Sequence, residues 1–114
     1  MSSNKNNCQI ININALNDLI LSDYTSNSVF RTTWLSFKGC VDQYDNLHHI
    51  AKCKNNKEIL LDFYKSAFIK AKEMKTKLTE YYSSDKDKEH IIRCNVNELL
   101  DKFLVINLSH MNLL

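Results

Sequence analysis

The stretch "FRTTWLSFKGCVDQYDNLHHIA", Phe30 to Ala51, decides how the rest of the chain is read. Within it Phe30, Trp34, Phe37, Val41, Tyr44, His48 and Ala51 are separated by alternating steps of four and three. An α-helix turns once every 3.6 residues, so this alternation lines all of them along one side. A strand would need every second residue apolar, and this stretch does not alternate that way.

The same spacing returns twice. Leu60, Tyr64, Ala67, Ala71, Met74, Leu78 and Tyr81 form a second seam, and Ile92, Val96, Leu99, Phe103, Ile106, His110 and Leu113 a third. The breaks between seams carry helix-start residues. Asn27 or Ser28 suits an N-cap before the first seam, and "KNNKE" offers Asn55 with Glu58 three residues on as a capping-box pair. "SSDKDKEH" offers Ser84 as a cap, with Asp85 and Asp87 where the helix dipole favours negative charge. These signals predict long helices over 28–54, 57–82 and 86–112, joined by short turns that make successive helices antiparallel neighbours. Ahead of them, "QIININALNDLILSDY" predicts a short helix through Leu16, Leu19 and Ile20, after a disordered polar start at 1–8. The expected fold is all-α: one domain over 9–114, an up-down-up bundle of three long helices with the short N-terminal helix packed alongside.

Composition agrees. The chain has one glycine, Gly39, and no proline, so the tight turns on which sheets depend are hard to build. The net charge of +2 is too small to argue for nucleic acid or an anionic membrane. Thirteen of its fifteen basic residues are lysine, which lacks the planar fork that reads phosphate or guanine in bidentate fashion. No apolar run reaches the ~18 residues of a membrane span, and "MSSNKNNCQI" lacks the basic-then-apolar order of a signal peptide. The chain therefore reads as soluble and intracellular, with its four cysteines reduced.

Motifs for catalysis are absent: there is no glycine-rich phosphate loop, nucleophile elbow or paired Cys-x-x-Cys. No enzyme activity, cofactor or small-molecule substrate is expected. "HIAKC" and "HIIRC" each set a histidine four residues before a cysteine, at His49/Cys53 and His90/Cys94. Each pair could be half of a tetrahedral zinc site. The bundle places them at opposite ends, about 25 Å apart by helix rise, so no metal site is expected within one chain. Cys40 and Cys94 fall at similar heights on the first and third helices, but Cys94 faces away from its seam. His48 and His110 lie on seams, as boundary residues. Trp34 reads as a core anchor whose indole N–H needs a partner. Lys65, Lys70, Lys72, Lys75 and Lys77 read as a solvated face, with binding to an acidic surface as the alternative.

The segment "LNDLILSDYTSNSVFRTTWLSFKG" places a short leucine-rich helix, a Ser/Asn-capped break and a tryptophan in the second turn of the next helix. In Leu16, Leu19, Ile20, Ser26, Trp34, Tyr44 and Leu47 it resembles the start of the Plasmodium helical interspersed subtelomeric (PHIST) domains. That resemblance implies a small helical module of an exported parasite protein that binds host cytoskeletal or parasite adhesin partners.

The last helix is apolar on more sides than one seam requires. In "ELLDKFLVINLSHMNLL", Leu100, Leu104, Val105 and Leu108 project onto other faces and Met111, Leu113 and Leu114 extend past the expected bundle end, and a helix apolar nearly all round is normally covered on several sides. Ile13, Leu16 and Ile20 of the short helix can cover part of this surface. The remainder is expected to bind another protein chain or a second copy. The functional expectation is a non-enzymatic interaction module, an adaptor or small subunit of a complex.

Overall fold

The computed structural model describes residues 9–23, 27–82 and 87–113, with residues 87 and 88 described by backbone alone. Four helices follow in order: α1 (Ile13–Leu21), α2 (Ser28–Cys53), α3 (Lys57–Tyr81) and α4 (Asp87–Asn112). No strand occurs among the described residues. The three long helices alternate in direction as an up-down-up bundle, with the starts of α2 and α4 taken as its upper end; each is about 38 Å long at ~1.5 Å per residue, and α1 packs against α4. The expected disordered start at 1–8 and the Ser84 cap lie outside the described residues.

Asparagine opens three of the helices, because its short side chain accepts a bond from an otherwise unpaired first-turn N–H. Asn12 accepts from Ala15 N at 2.8 Å, Asn27 from Val29 N at 2.7 Å, and Asn56 from Glu58 N at 2.9 Å. The cap of α3 is therefore Asn56 rather than Asn55. Asn55 has φ of 47°, the left-handed conformation with which a chain commonly leaves a helix. It reverses the chain after α2 and moves the cap one residue on.

The seams of α2 and α3 lie where the spacing puts them. Phe30, Trp34, Phe37, Tyr44 and Ala51 are buried on α2, and Tyr64, Ala67, Ala71, Met74 and Leu78 on α3. The α3 seam ends differently: Tyr81 is exposed, and Tyr82 just past the helix is buried against Phe30 at 4.6 Å between ring centroids.

The α4 seam departs from the expected one. Ile92, Val96, Leu100, Phe103 and Asn107 are buried, whereas Leu99 is half-buried and Ile106 and Leu113 are exposed. A strict heptad drifts about 20° per seven residues on a straight helix, and α4 follows the drift instead of the heptad. Leu100 is thus a correction: expected on a binding surface, it is fully buried in the core. Asn107 can be buried because both ends of its amide are satisfied. Its Oδ1 accepts from Tyr44 Oη at 2.9 Å, and its Nδ2 donates to Phe103 O at 2.9 Å.

The α1 end of the bundle is tied by bonds between residues far apart in sequence. Trp34 Nε1 donates to Asn17 Oδ1 at 2.9 Å, giving the indole its expected partner. Tyr82 Oη donates to the buried carboxylate of Asp23 at 2.8 Å. Asn95 on α4 holds the extended segment before α1, accepting from Ile11 N at 3.0 Å and donating to Gln9 O at 2.8 Å. Beside Asn95, Cys94 is disulfide-bonded, which corrects the expectation that all four cysteines are reduced. Helical spacing turns Cys94 away from its seam, and its neighbour Asn95 binds the backbone of Gln9 and Ile11. Cys40 and Cys53 are free thiols. Cys8 lies outside the described residues.

Candidate functional site

Along α4, the burial of one side changes abruptly with height. The N-terminal segment and α1 lie over its upper half, where Ile11, Ile13 and Leu16 line a cleft with Asn95, Leu99 and Lys102. At 100° per residue, Ile106 continues that flank downward, but it is 43% exposed. The opposite flank carries Leu104, Leu108 and Met111. Leu108 is 45% exposed, while Leu104 and Met111 are half-buried against the core. Between the flanks Val105 faces outward at 63%, and Leu113 beyond the helix is 84% exposed. Val105, Leu108 and Leu113 are therefore surface residues of the expected set, and Leu104 and Met111 form its inner margin. Ile106, assigned to the seam by its spacing, is a surface residue that the sequence reading missed. Leu114 lies outside the described residues.

At the same lower end, α2, α3 and α4 bring together a cluster that spacing marks only as seam residues. His48 Nε2 lies 2.7 Å from Tyr64 Oη. His48 and His110 are 4.6 Å apart between ring centroids, and His110 stacks on Tyr64 at 5.0 Å with 10° between the planes. Tyr44 and Phe63 pack beside them at 5.1 Å, and Phe103 meets Tyr44 edge-on at 4.9 Å. Removal from water holds the His48 pKa below the ordinary histidine value; His110 and Lys52 lower it further and Asp45 opposes them. Burial raises the Tyr64 and Tyr44 phenols, so both stay protonated hydrogen-bond donors near neutral pH.

The two His-Cys pairs stand apart. His49 Nε2 and Cys53 Sγ are 3.6 Å apart on the last turns of α2. His90 and Cys94 are on the first turns of α4 at the other end, and the disulfide removes Cys94 as a thiolate ligand. Among the described residues, no three histidine, cysteine or acidic side chains converge as metal ligands. The lysine face of α3 is partly engaged: Lys70 donates to Ser36 Oγ at 3.2 Å, Lys77 pairs with Glu80 at 3.3 Å, and Lys72 lies 5.6 Å from the centre of the Phe68 ring. No helix among the described residues is long and apolar enough to cross a membrane. Comparison with family models, with curated proteins and with solved structures finds no match to this chain.

Proposed function

We propose that the chain is a non-enzymatic helical interaction module that binds another protein through the lower half of α4. The observation that carries this reading is the outward row of Val105 and Leu108, 63% and 45% exposed, below the stretch of α4 that α1 packs against. Apolar side chains clustered this way on one helix favour contact with a second apolar surface over contact with water. Each such residue buried in a complex contributes roughly 1–3 kcal/mol. The test is the double substitution Val105→Gln with Leu108→Gln. Helicity and thermal midpoint should be retained while association with a second copy, or with a partner from the native cell, is lost. Retained association would overturn the reading.

A second reading has its own support at Cys94. Disulfides persist in oxidising compartments and are rare in the cytosol. This favours a protein that leaves the cytosol, as the PHIST-like reading would have it. Mass measurement of the native protein before and after reduction and alkylation tests it; a Cys94 thiol alkylated without prior reduction would refute it.

A further inference from the structure

We propose that His48 and His110 form a proton-operated clasp, whose protonation releases the last turns of α4 from α2 and α3. The clasp does not depend on what binds α4. His48 Nε2 and Tyr64 Oη lie 2.7 Å apart, so in the neutral tautomer with its hydrogen on Nδ1 His48 accepts the phenol proton, and the His110 ring lies flat on Tyr64. Three helices therefore meet through two imidazoles and one phenol: His48 from α2, Tyr64 from α3, His110 from α4.

Protonation disturbs this arrangement in two ways. Protonated His48 carries a hydrogen on Nε2, so the bond reverses: the imidazolium donates to the phenol oxygen, and Tyr64 must turn its own hydrogen elsewhere. A second proton on His110 then sets two like charges on rings 4.6 Å apart, against the aromatic wall of Tyr44 and Phe63. The groups around His48 offer little compensation. On α2 these are Tyr44, Asp45, His49 and Lys52, with Tyr64 on α3 and His110 on α4, and only Asp45 carries negative charge.

The direction with pH follows from the depressed His48 value. The open state, with His48 in water, takes up its proton first. The clasp is at full strength above the ordinary histidine pKa and weakens as pH falls through the lower closed-state value. Each pH unit within that window raises the opening equilibrium by up to about tenfold. The upper half of α4, held by Asn95 and its partners, should stay closed.

The test follows the four imidazoles of the full chain by proton NMR between about pH 8 and about pH 5, together with amide exchange corrected for its intrinsic rate. His48 should titrate below the ordinary histidine value, and removing the His110 imidazole should shift its midpoint upward. Opening of residues 104–112 should rise as pH falls, with residues 92–100 unaffected. His110→Phe keeps a ring on Tyr64 and removes the charge, and it should abolish most of the acid response. If that variant does not fold, the wild-type titration decides alone. A wild-type His48 midpoint at the ordinary histidine value, or one unchanged in His110→Phe, would overturn the clasp. So would equal acid-induced opening of both halves of α4, or a full acid response in His110→Phe.

Discussion

At one end of the bundle, Tyr82 reaches Asp23, Trp34 reaches Asn17 and Asn95 grips the N-terminal segment twice, so four polar bonds cross between distant parts of the chain. At the other end, Tyr44, His48, Tyr64 and His110 meet below the stretch of α4 that α1 packs against, and Val105 and Leu108 face outward beside them. Both ends belong to the same three long helices. The difference lies in the length of α1, whose nine residues cover only about 13 Å of a helix three times as long. A short fourth helix completes the core at one end and leaves the other end for titratable groups and exposed apolar side chains.

Substitutions rank along this contrast. Val96→Asp should have the largest effect, because it sets an unpaired charge at a fully buried position under the closed end. The expected loss exceeds about 4 kcal/mol, enough to abolish the helical circular dichroism signal of a marginally stable domain. Leu100→Ala comes next, with a loss of about 2–5 kcal/mol in chemical denaturation if the side chain is core. A change below about 0.5 kcal/mol would restore Leu100 to the surface and break the α4 register described here.

Tyr82→Phe should cost about 1–3 kcal/mol, since it takes the phenol donor from the buried Asp23 carboxylate. Tyr44→Phe makes the matching change at the open end, removing the bond to Asn107 Oδ1. Its smaller expected loss is about 1 kcal/mol, because a neutral amide is left behind instead of a carboxylate. Equal losses at the two sites would remove the energetic contrast between the ends. Gly39→Ala should have the smallest effect and the opposite sign. Nothing lies within 4 Å of an added Cβ, and alanine in a helix interior stabilises by roughly 0.5–1 kcal/mol, read as a raised thermal midpoint.

The reading of α2 and α3 survives in the structure, apart from Tyr81, because each row keeps its four-three spacing through the residues that are buried. Apolar residues also lie outside the rows, Leu35, Leu47 and Ile50 on α2 and Ile59 and Ile69 on α3, but these are exposed while the row residues fill the core. α4 offers two choices at each turn, Leu99 or Leu100 and Ile106 or Asn107, and hydrophobicity alone favours the wrong one at the lower turn. Asn107 is inside because Tyr44, 63 positions earlier, supplies a donor that no local pattern reveals. The same holds for Asn95, whose burial depends on Ile11 and Gln9 lying beside it. Of the candidate surface, Val105 and Leu108 were legible as apolar residues in excess of one seam. Ile106 was hidden by fitting that seam. The imidazole cluster was legible as two seam histidines, but their meeting required the relative heights of α2 and α4.

The bond between Ile11 and Asn95 spans 84 positions, and this separation has a consequence for the order in which the molecule assembles. During synthesis α2 and α3 can pair as soon as both have left the ribosome, because their contacts are local. The N-terminal segment emerges before them; Asn17 and Asp23 can meet Trp34 and Tyr82, but Gln9 and Ile11 must wait until α4 supplies Asn95. Their segment should therefore be the last piece to settle. Trp34 can report whether α1 settles with it, because its indole N–H is bonded to Asn17 of α1. In stopped-flow refolding, helical signal should appear before the native tryptophan fluorescence. Simultaneous appearance of the two signals would mean that α1 docks within the same cooperative step as the hairpin.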